Sequence, residues 1–244
     1  MTDSFLLFDY LNLFWFGVLP YVALAIFFLV TIQRYTNRAY TYSSLSSQFL
    51  ENKAHFWALV PFHYGVLTIL AGHVIGFLLP KQVLWWNSVP LRLYILEVTA
   101  FIGGIFTLVG LVNIVIRRMT DAKAKMVTST ADWIVISILI VQVGTGLYTA
   151  IFHNWGSSWF AASLAPYLWS IVKFSPEIAY VTPMPLMVKL HIIGAFAIIL
   201  LFPFTRLVHI LVVPNPYLWR KPQMVRWYWD RKTIRTPEFK IENK

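Results

Sequence analysis

Apolar residues in this chain come in long, nearly unbroken runs, not in the short alternating patterns of soluble helices and strands. Five runs are long enough to cross a bilayer as helices: Leu11 to Ile32, Phe56 to Leu79, Leu93 to Ile116, Ala131 to Phe152 and Met187 to Val213. Pro20 and Pro203 interrupt the first and the last, which membrane helices tolerate. Gln33, Arg34 and Arg38 close the first run, Pro80 and Lys81 the second, and Arg117, Arg118, Lys123 and Lys125 the third. Trp85 and Trp86 stand where an aromatic belt would lie. The third run carries a Gly103-Gly104 pair suited to close helix contact. In the fourth, Asp132 falls in the first turn, where a carboxylate favours the positive helix end. One segment, Asn154 to Pro185, is ambiguous. Its apolar stretch FAASLAPYLWSIVKF is short and broken by Pro166 and Lys173, and reads as a helix lying at the interface. No internal repeat is evident. The expected fold is an all-α membrane protein: five transmembrane helices over residues 1–213, with one interfacial helix between helices four and five. A basic, Trp-rich tail over residues 214–244 follows.

Composition agrees with the pattern. Hydrophobic residues make up 58% and charged residues 12% of the 244, half the charge of an ordinary soluble domain. The chain has no cysteine, which excludes disulfides, Cys-held iron–sulfur clusters, thiolate-ligated haem and covalent c-type attachment. Met1 to Tyr10 lacks a basic n-region, so no cleavable signal is expected. A formal charge of +10 raises the question of nucleic acid, but the cations follow membrane topology instead. With the N-terminus outside, Arg34, Arg38, Lys53, Arg117, Arg118, Lys123, Lys125 and the tail cations all face inward, leaving Lys81, Arg92, Lys173 and Lys189 outside. A sixth span at 160–174 would put the basic tail on the wrong side.

The candidate chemistry is histidine. The second run holds His63 and His73, and the fifth holds His191 and His209. Ionisable side chains inside lipid are costly, so each is a functional-site hypothesis. Four imidazoles on two spans suffice for two haems, each held by one histidine from each helix, and without cysteine these must be non-covalent b haems. The helices run antiparallel, which sets His63 beside His209 near the cytoplasmic side and His73 beside His191 near the outer side. Depths agree only roughly. Ten residues of α-helix rise about 15 Å and eighteen about 27 Å, while the second pair shares a face and the first is about 80° apart. A kink at Pro203 and helix tilt are the means of absorbing the difference. The bland alternative is histidines hydrogen-bonding across helices as packing glue. His55 and His153, at the ends of spans, read as interfacial. Arg206 lies one turn before His209, where its guanidinium suits a haem propionate or a headgroup. Lys189 reads as an interface anchor, and Glu97 as a helix cap or a proton acceptor for quinol.

The stretches PFHYGVLTILAGHVIGFLLP, TSTADWIVISILIVQVGTGLYT, VKLHIIG and LFPFTRLVHILVVPNPYLWRKPQMVR cover most of the chain from Tyr40 to Arg226. In them the chain resembles the gamma subunit of membrane-bound respiratory nitrate reductase. The resemblance implies five helices around two b haems, with His63 and His209 on the inner (proximal) haem iron and His73 and His191 on the outer (distal) one. It implies a quinol site beside the distal haem, matched here by Gly72 and His73. A lysine of the family near the start of helix three has no counterpart, and Arg92 is the candidate replacement, although arginine is a delocalised fork and not a point charge. Gln142 matches the family pattern without a role that follows from the residues.

The function implied is a quinol-oxidising membrane anchor in the prokaryotic cell membrane, passing electrons to a cytoplasmic iron–sulfur beta subunit. Nitrate reduction belongs to a molybdenum-containing alpha subunit; lipid and quinol are the other partners, and nucleic acid is not one. Haem b subunits of sulfur-metabolising quinone-linked complexes resemble the family in helices two and five and form the alternative. A haem-free transporter or structural anchor is the competitor of another class, disfavoured by the lack of a repeat.

Overall fold

A computed structural model describes residues 2–37 and 55–211, and in these residues every regular element is helical. The first helical run joins α1 (Thr2–Leu13), a π turn (Phe14–Val18) and α2 (Leu19–Asn37). Then come α3 (His55–Leu78), a short α4 (Pro80–Asn87), α5 (Pro90–Thr120), α6 (Ala122–Met126) and α7 (Thr130–Phe152). Beyond α7 lie α8 (Gly156–Trp159), a second π turn (Phe160–Leu164), α9 (Ala165–Val172) and α10 (Leu186–Leu201). Five helical spans are long and apolar enough to cross a membrane: Phe8–Asn37, Trp57–Leu78, Pro90–Thr120, Thr130–Phe152 and Leu186–Phe204. Their outward side chains include Leu67, Leu70, Val74 and Leu78 of α3, apolar groups that water would not tolerate in such number. This is an integral membrane protein.

Small residues bring the central helices together. A Cβ on Gly65 of α3 would stand 2.5 Å from the Gly103 carbonyl of α5, and one on Gly110 would stand 2.4 Å from the Phe62 nitrogen. Gly104 turns the other way, where a Cβ would meet Leu147 of α7 at 2.7 Å. The glycine pair therefore serves two neighbours at once, α3 and α7, by the close backbone approach usual between membrane helices.

Prolines remove backbone N–H donors from these helices, and side chains from elsewhere donate to the carbonyls four residues back. Pro20 has no N–H for the Phe16 carbonyl, and the helix widens into the π turn just before it. The Tyr167 hydroxyl, fully buried, donates to that carbonyl at 2.8 Å. Burial raises the Tyr167 pKa above its ordinary value, with Tyr21 adding to the effect, so the group stays a donor. Pro61 likewise deprives the Trp57 carbonyl, which accepts from Asn113 Nδ2 at 3.5 Å. Pro166 stands two residues after the second π turn, in the same relation as Pro20 to the first.

One expectation needs correction. The fifth span is not one continuous helix to Val213. Pro203 ends α10 at Leu201; a 3-10 turn (Phe202–Phe204), an extended Thr205 and a second 3-10 turn (Arg206–Ile210) follow. Residues 154–185 pack closely on the rest of the chain. Leu164, Tyr167 and Ile171 are buried with Phe16 and Ala23 of the first run and Val188, Ile192 and Phe196 of α10, forming the main hydrophobic core. The tail over 214–244 lies outside the described residues.

Candidate functional site

The four histidines come together in two pairs. The rings of His63 and His209 have centroids 6.1 Å apart at an interplanar angle of 67°. Those of His73 and His191 lie 6.2 Å apart at 34°. The antiparallel course of α3 and α10 thus joins the residues that topology pairs, one from each chain segment.

Each ring has a defined tautomer. A carbonyl can only accept, so Nδ1–H is the donor wherever Nδ1 meets one. His63 donates to Leu59 O and His73 to Ile69 O, both at 2.8 Å and both four residues back on α3. His209 donates to Arg206 O at 2.7 Å, and His191 to Gln142 O at 3.0 Å. All four therefore present Nε2 as the basic nitrogen, the arrangement that metal-ligating histidines share. Two metal–imidazole bonds of about 2 Å in line, with roughly 1 Å more to each ring centre, place the centroids about 6 Å apart. The observed spacings meet this value in both pairs. They are too long for a direct ring–ring hydrogen bond, although His191 hydrogen-bonds across to α7. The residues present fit a metal held axially by two imidazoles.

Around the outer pair, glycines make the room. A Cβ on Gly146 of α7 would sit 2.9 Å from His191 Cε1, and one on Gly194 would sit 2.3 Å from Gln142 Oε1. Gln142 Nε2 donates to His191 Nε2 at 3.2 Å, a bond that metal ligation would have to replace, and Thr145 Oγ1 accepts from His191 Nδ1 at 3.1 Å. Gln142 is thus a neighbour of His191, which its place mid-span did not reveal. Phe160 of the second π turn lies edge-on to His73 at 5.3 Å, so the segment after α7 closes over this pair. Gly72 is exposed and has nothing within 4 Å of its Cβ position, leaving open space next to His73.

Other candidates are placed as follows. Arg92, at the start of α5, holds its guanidinium 5.3 Å from both the Trp85 and Trp86 ring centres, a double cation–π contact. Glu97 does not cap the third span. Its Oε1 accepts from Ser157 N at 2.8 Å and Ser157 Oγ at 2.6 Å, tying α5 to the first turn of α8. His153 is the C-cap of α7, with its ring 6.1 Å from Tyr148 and apart from both pairs. The side chain of His55 lies outside the described residues. Arg206 pairs through Nε with Asp132 Oδ1 at 2.8 Å. Arg118 approaches Asp132 Oδ2 at 3.4 Å, so two cations share one buried carboxylate near His209.

Comparison with known proteins agrees with this architecture. The family described as nitrate reductase gamma subunit matches residues 12–228. The chain is 33% identical to the respiratory nitrate reductase 1 gamma chain of Escherichia coli (strain K12), over 89% of this chain and 98% of that one. It is 32% identical to the nitrate reductase gamma chain of Bacillus subtilis (strain 168), over 84% of this chain and 93% of that one. A nitrate reductase-like protein NarX of Mycobacterium tuberculosis (strain ATCC 25618 / H37Rv) is 29% identical over 86% of this chain but only 33% of its own length. The chain belongs to the nitrate reductase gamma subunit family, as an integral membrane subunit of a respiratory nitrate reductase complex.

Proposed function

We propose that this subunit oxidises quinol and carries its electrons inward on two b haems. The observation that supports this most is the pair of ring separations near 6 Å, with every Nδ1–H anchored on a carbonyl. His63 and His209 would hold the proximal iron, and His73 and His191 the distal iron. When bound, the two haems supply a one-electron path from quinol at the outer side to an iron–sulfur beta subunit at the cytoplasmic side. A molybdenum-containing alpha subunit then reduces nitrate. Two imidazoles for each haem would suit electron transfer and would leave no position for substrate.

The chain's own residues hold and shape these sites. Arg206 and Arg118 converge on Asp132 beside His209, and a guanidinium there would suit an anion such as a propionate. Gly72 leaves room for a quinol ring beside His73, and Arg92 is the cation offered to it from the start of α5. The membrane orientation in this reading is N-terminus outside and C-terminus cytoplasmic. The sulfur-linked alternative is disfavoured, because the family match extends over residues 12–228 and its named relatives are nitrate reductases.

Pyridine haemochrome analysis of the purified protein should give two non-covalent haems per chain; one or none would sink the reading. Replacing His63 or His209 should remove one optical and EPR signal, and replacing His73 or His191 the other. Quinol oxidation should fail when the distal signal is lost. If His63→Ala and His73→Ala erased a common signal, the pairing would be wrong. A colourless protein would favour a transporter or a plain anchor.

A further inference from the structure

His209 differs from its partners in how its ring is held. His63 and His73 sit on a regular helix and donate to carbonyls four residues back. His209 lies beyond the end of α10, in the 3-10 turn Arg206–Ile210 that follows the extended Thr205. The helical ladder of α10 therefore does not set its orientation. Its Nδ1–H donates to Arg206 O at 2.7 Å, so the ring points where the Arg206 backbone directs it.

Arg206 is in turn held by its side chain. Its Nε meets Asp132 Oδ1 at 2.8 Å, and its Nη2 donates to Val127 O at 2.5 Å. Asp132 is 6% exposed and fixed in its own right. Its Oδ2 accepts from Ser129 N at 2.8 Å, completing a capping box on α7, and lies 3.4 Å from Arg118 Nη1 of α5. One carboxylate thus ties the first turn of α7, the last turn of α5 and the turn that carries His209. A buried ion pair is poor evidence of net stability, since desolvation offsets the attraction. Its directional hydrogen bonds do fix geometry.

We propose that Asp132 is a positioning residue for the axial ligand His209, acting through Arg206 and its carbonyl. This rests on reading His63 and His209 as the proximal ligand pair. Outer-shell groups that orient a ligating histidine tune the metal without touching it. Asp132 would set the plane of the His209 imidazole relative to that of His63, and so the spectrum of that haem alone.

The test uses the full chain in membranes with its partner subunits, and EPR of the oxidised protein. The largest g value of a low-spin ferric haem with two imidazoles follows the angle between ligand planes, whereas a midpoint potential also answers to nearby charge. Asp132→Asn keeps the shape and an acceptor for Ser129 N but releases Arg206. We expect two haems per chain, a shifted largest g value for the His63–His209 signal, and an unchanged distal signal. Arg206→Gln should give the same shift, with nothing added in the double variant. Ser129→Ala, which weakens only the cap, should leave both signals in place. If Asp132→Asn does not accumulate, Arg206→Lys keeps the charge but loses the fork, and should shift the proximal g value alone. An unchanged g value with a moved potential would mean that only the field of the charge acts, and would overturn the proposal. So would additive shifts or a change confined to the distal haem. A wild-type protein lacking one of the two signals would instead defeat the ligand assignment, and this inference with it.

Discussion

Gly146→Ala is the sharpest test of the outer pair, because the structure fixes how far His191 must move. A methyl on Gly146 would stand 2.9 Å from His191 Cε1, whereas ordinary contact begins at 3.4 Å. The ring must retreat by at least about 0.5 Å, the tolerance within which a ligand site keeps its geometry. It has little freedom to do so. Nδ1 is held by Gln142 O at 3.0 Å and Thr145 Oγ1 at 3.1 Å, both on the same helix as Gly146. Moving the ring away from α7 stretches both bonds, and overpacking of this kind costs about 1–3 kcal/mol. Taken wholly from distal ligation, roughly 1.4 kcal/mol weakens iron binding tenfold and 3 kcal/mol more than a hundredfold. The variant should therefore keep its proximal haem and lose most of the distal one, read as haem per chain together with the two EPR signals. Gly144→Ala is the matched control: same helix, same substitution, nothing within 4 Å of the new methyl. Two full haems and an unshifted distal signal in Gly146→Ala would refute the reasoning, as would equal losses in both variants.

Tyr167→Phe removes the buried hydroxyl that donates to the Phe16 carbonyl, four residues before Pro20; about 1–2 kcal/mol of stability should be lost in detergent unfolding. In a Pro20→Ala background the backbone N–H returns, so the same change should cost much less, and equal costs would refute the account. Truncation after Asn215 should leave both haems bound but release the soluble subunits, because the removed tail interleaves Arg220, Lys221, Arg226, Arg231 and Lys232 with Trp219, Trp227 and Trp229. Retention of the partners at high salt would reduce the tail to a topological role.

Much of the site was legible because lipid leaves few choices. Apolar length locates the spans, and a histidine within one stands out against its cost. The Gly103-Gly104 pair declared a close contact, though not that its two members face different helices. What the sequence hid depends on partners far along the chain. Asp132 read correctly as a helix-terminal carboxylate, yet its ion pair with Arg206 requires the fold to bring the two together. Glu97 read as a cap, and it is one, but for the first turn of α8 and not for its own helix. Pro20 signalled a carbonyl in need of a donor; nothing local named Tyr167. Arg34 is a similar case: at the end of α2 it read as a topological cation, and it donates to the Pro203 carbonyl at the break after α10.

That break resolves the mismatch in depth between the two histidine pairs. His63 and His73 are separated by about 15 Å of helix, and a straight fifth helix would set His191 and His209 about 27 Å apart. Both pairs nevertheless close to the same ring distance, 6.1 and 6.2 Å. The α-helical part of the fifth segment beyond His191 ends at Leu201, ten residues on, which supplies about 15 Å and no more. From there the chain leaves the α-helix and reaches His209 through the 3-10 turns and extended Thr205. By ending α10, Pro203 frees the chain from the straight course that would set His209 about 27 Å from His191. The same break removes His209 from a regular helix, so its aim has to come from side chains, Arg34 on one flank and Asp132 through Arg206 on the other.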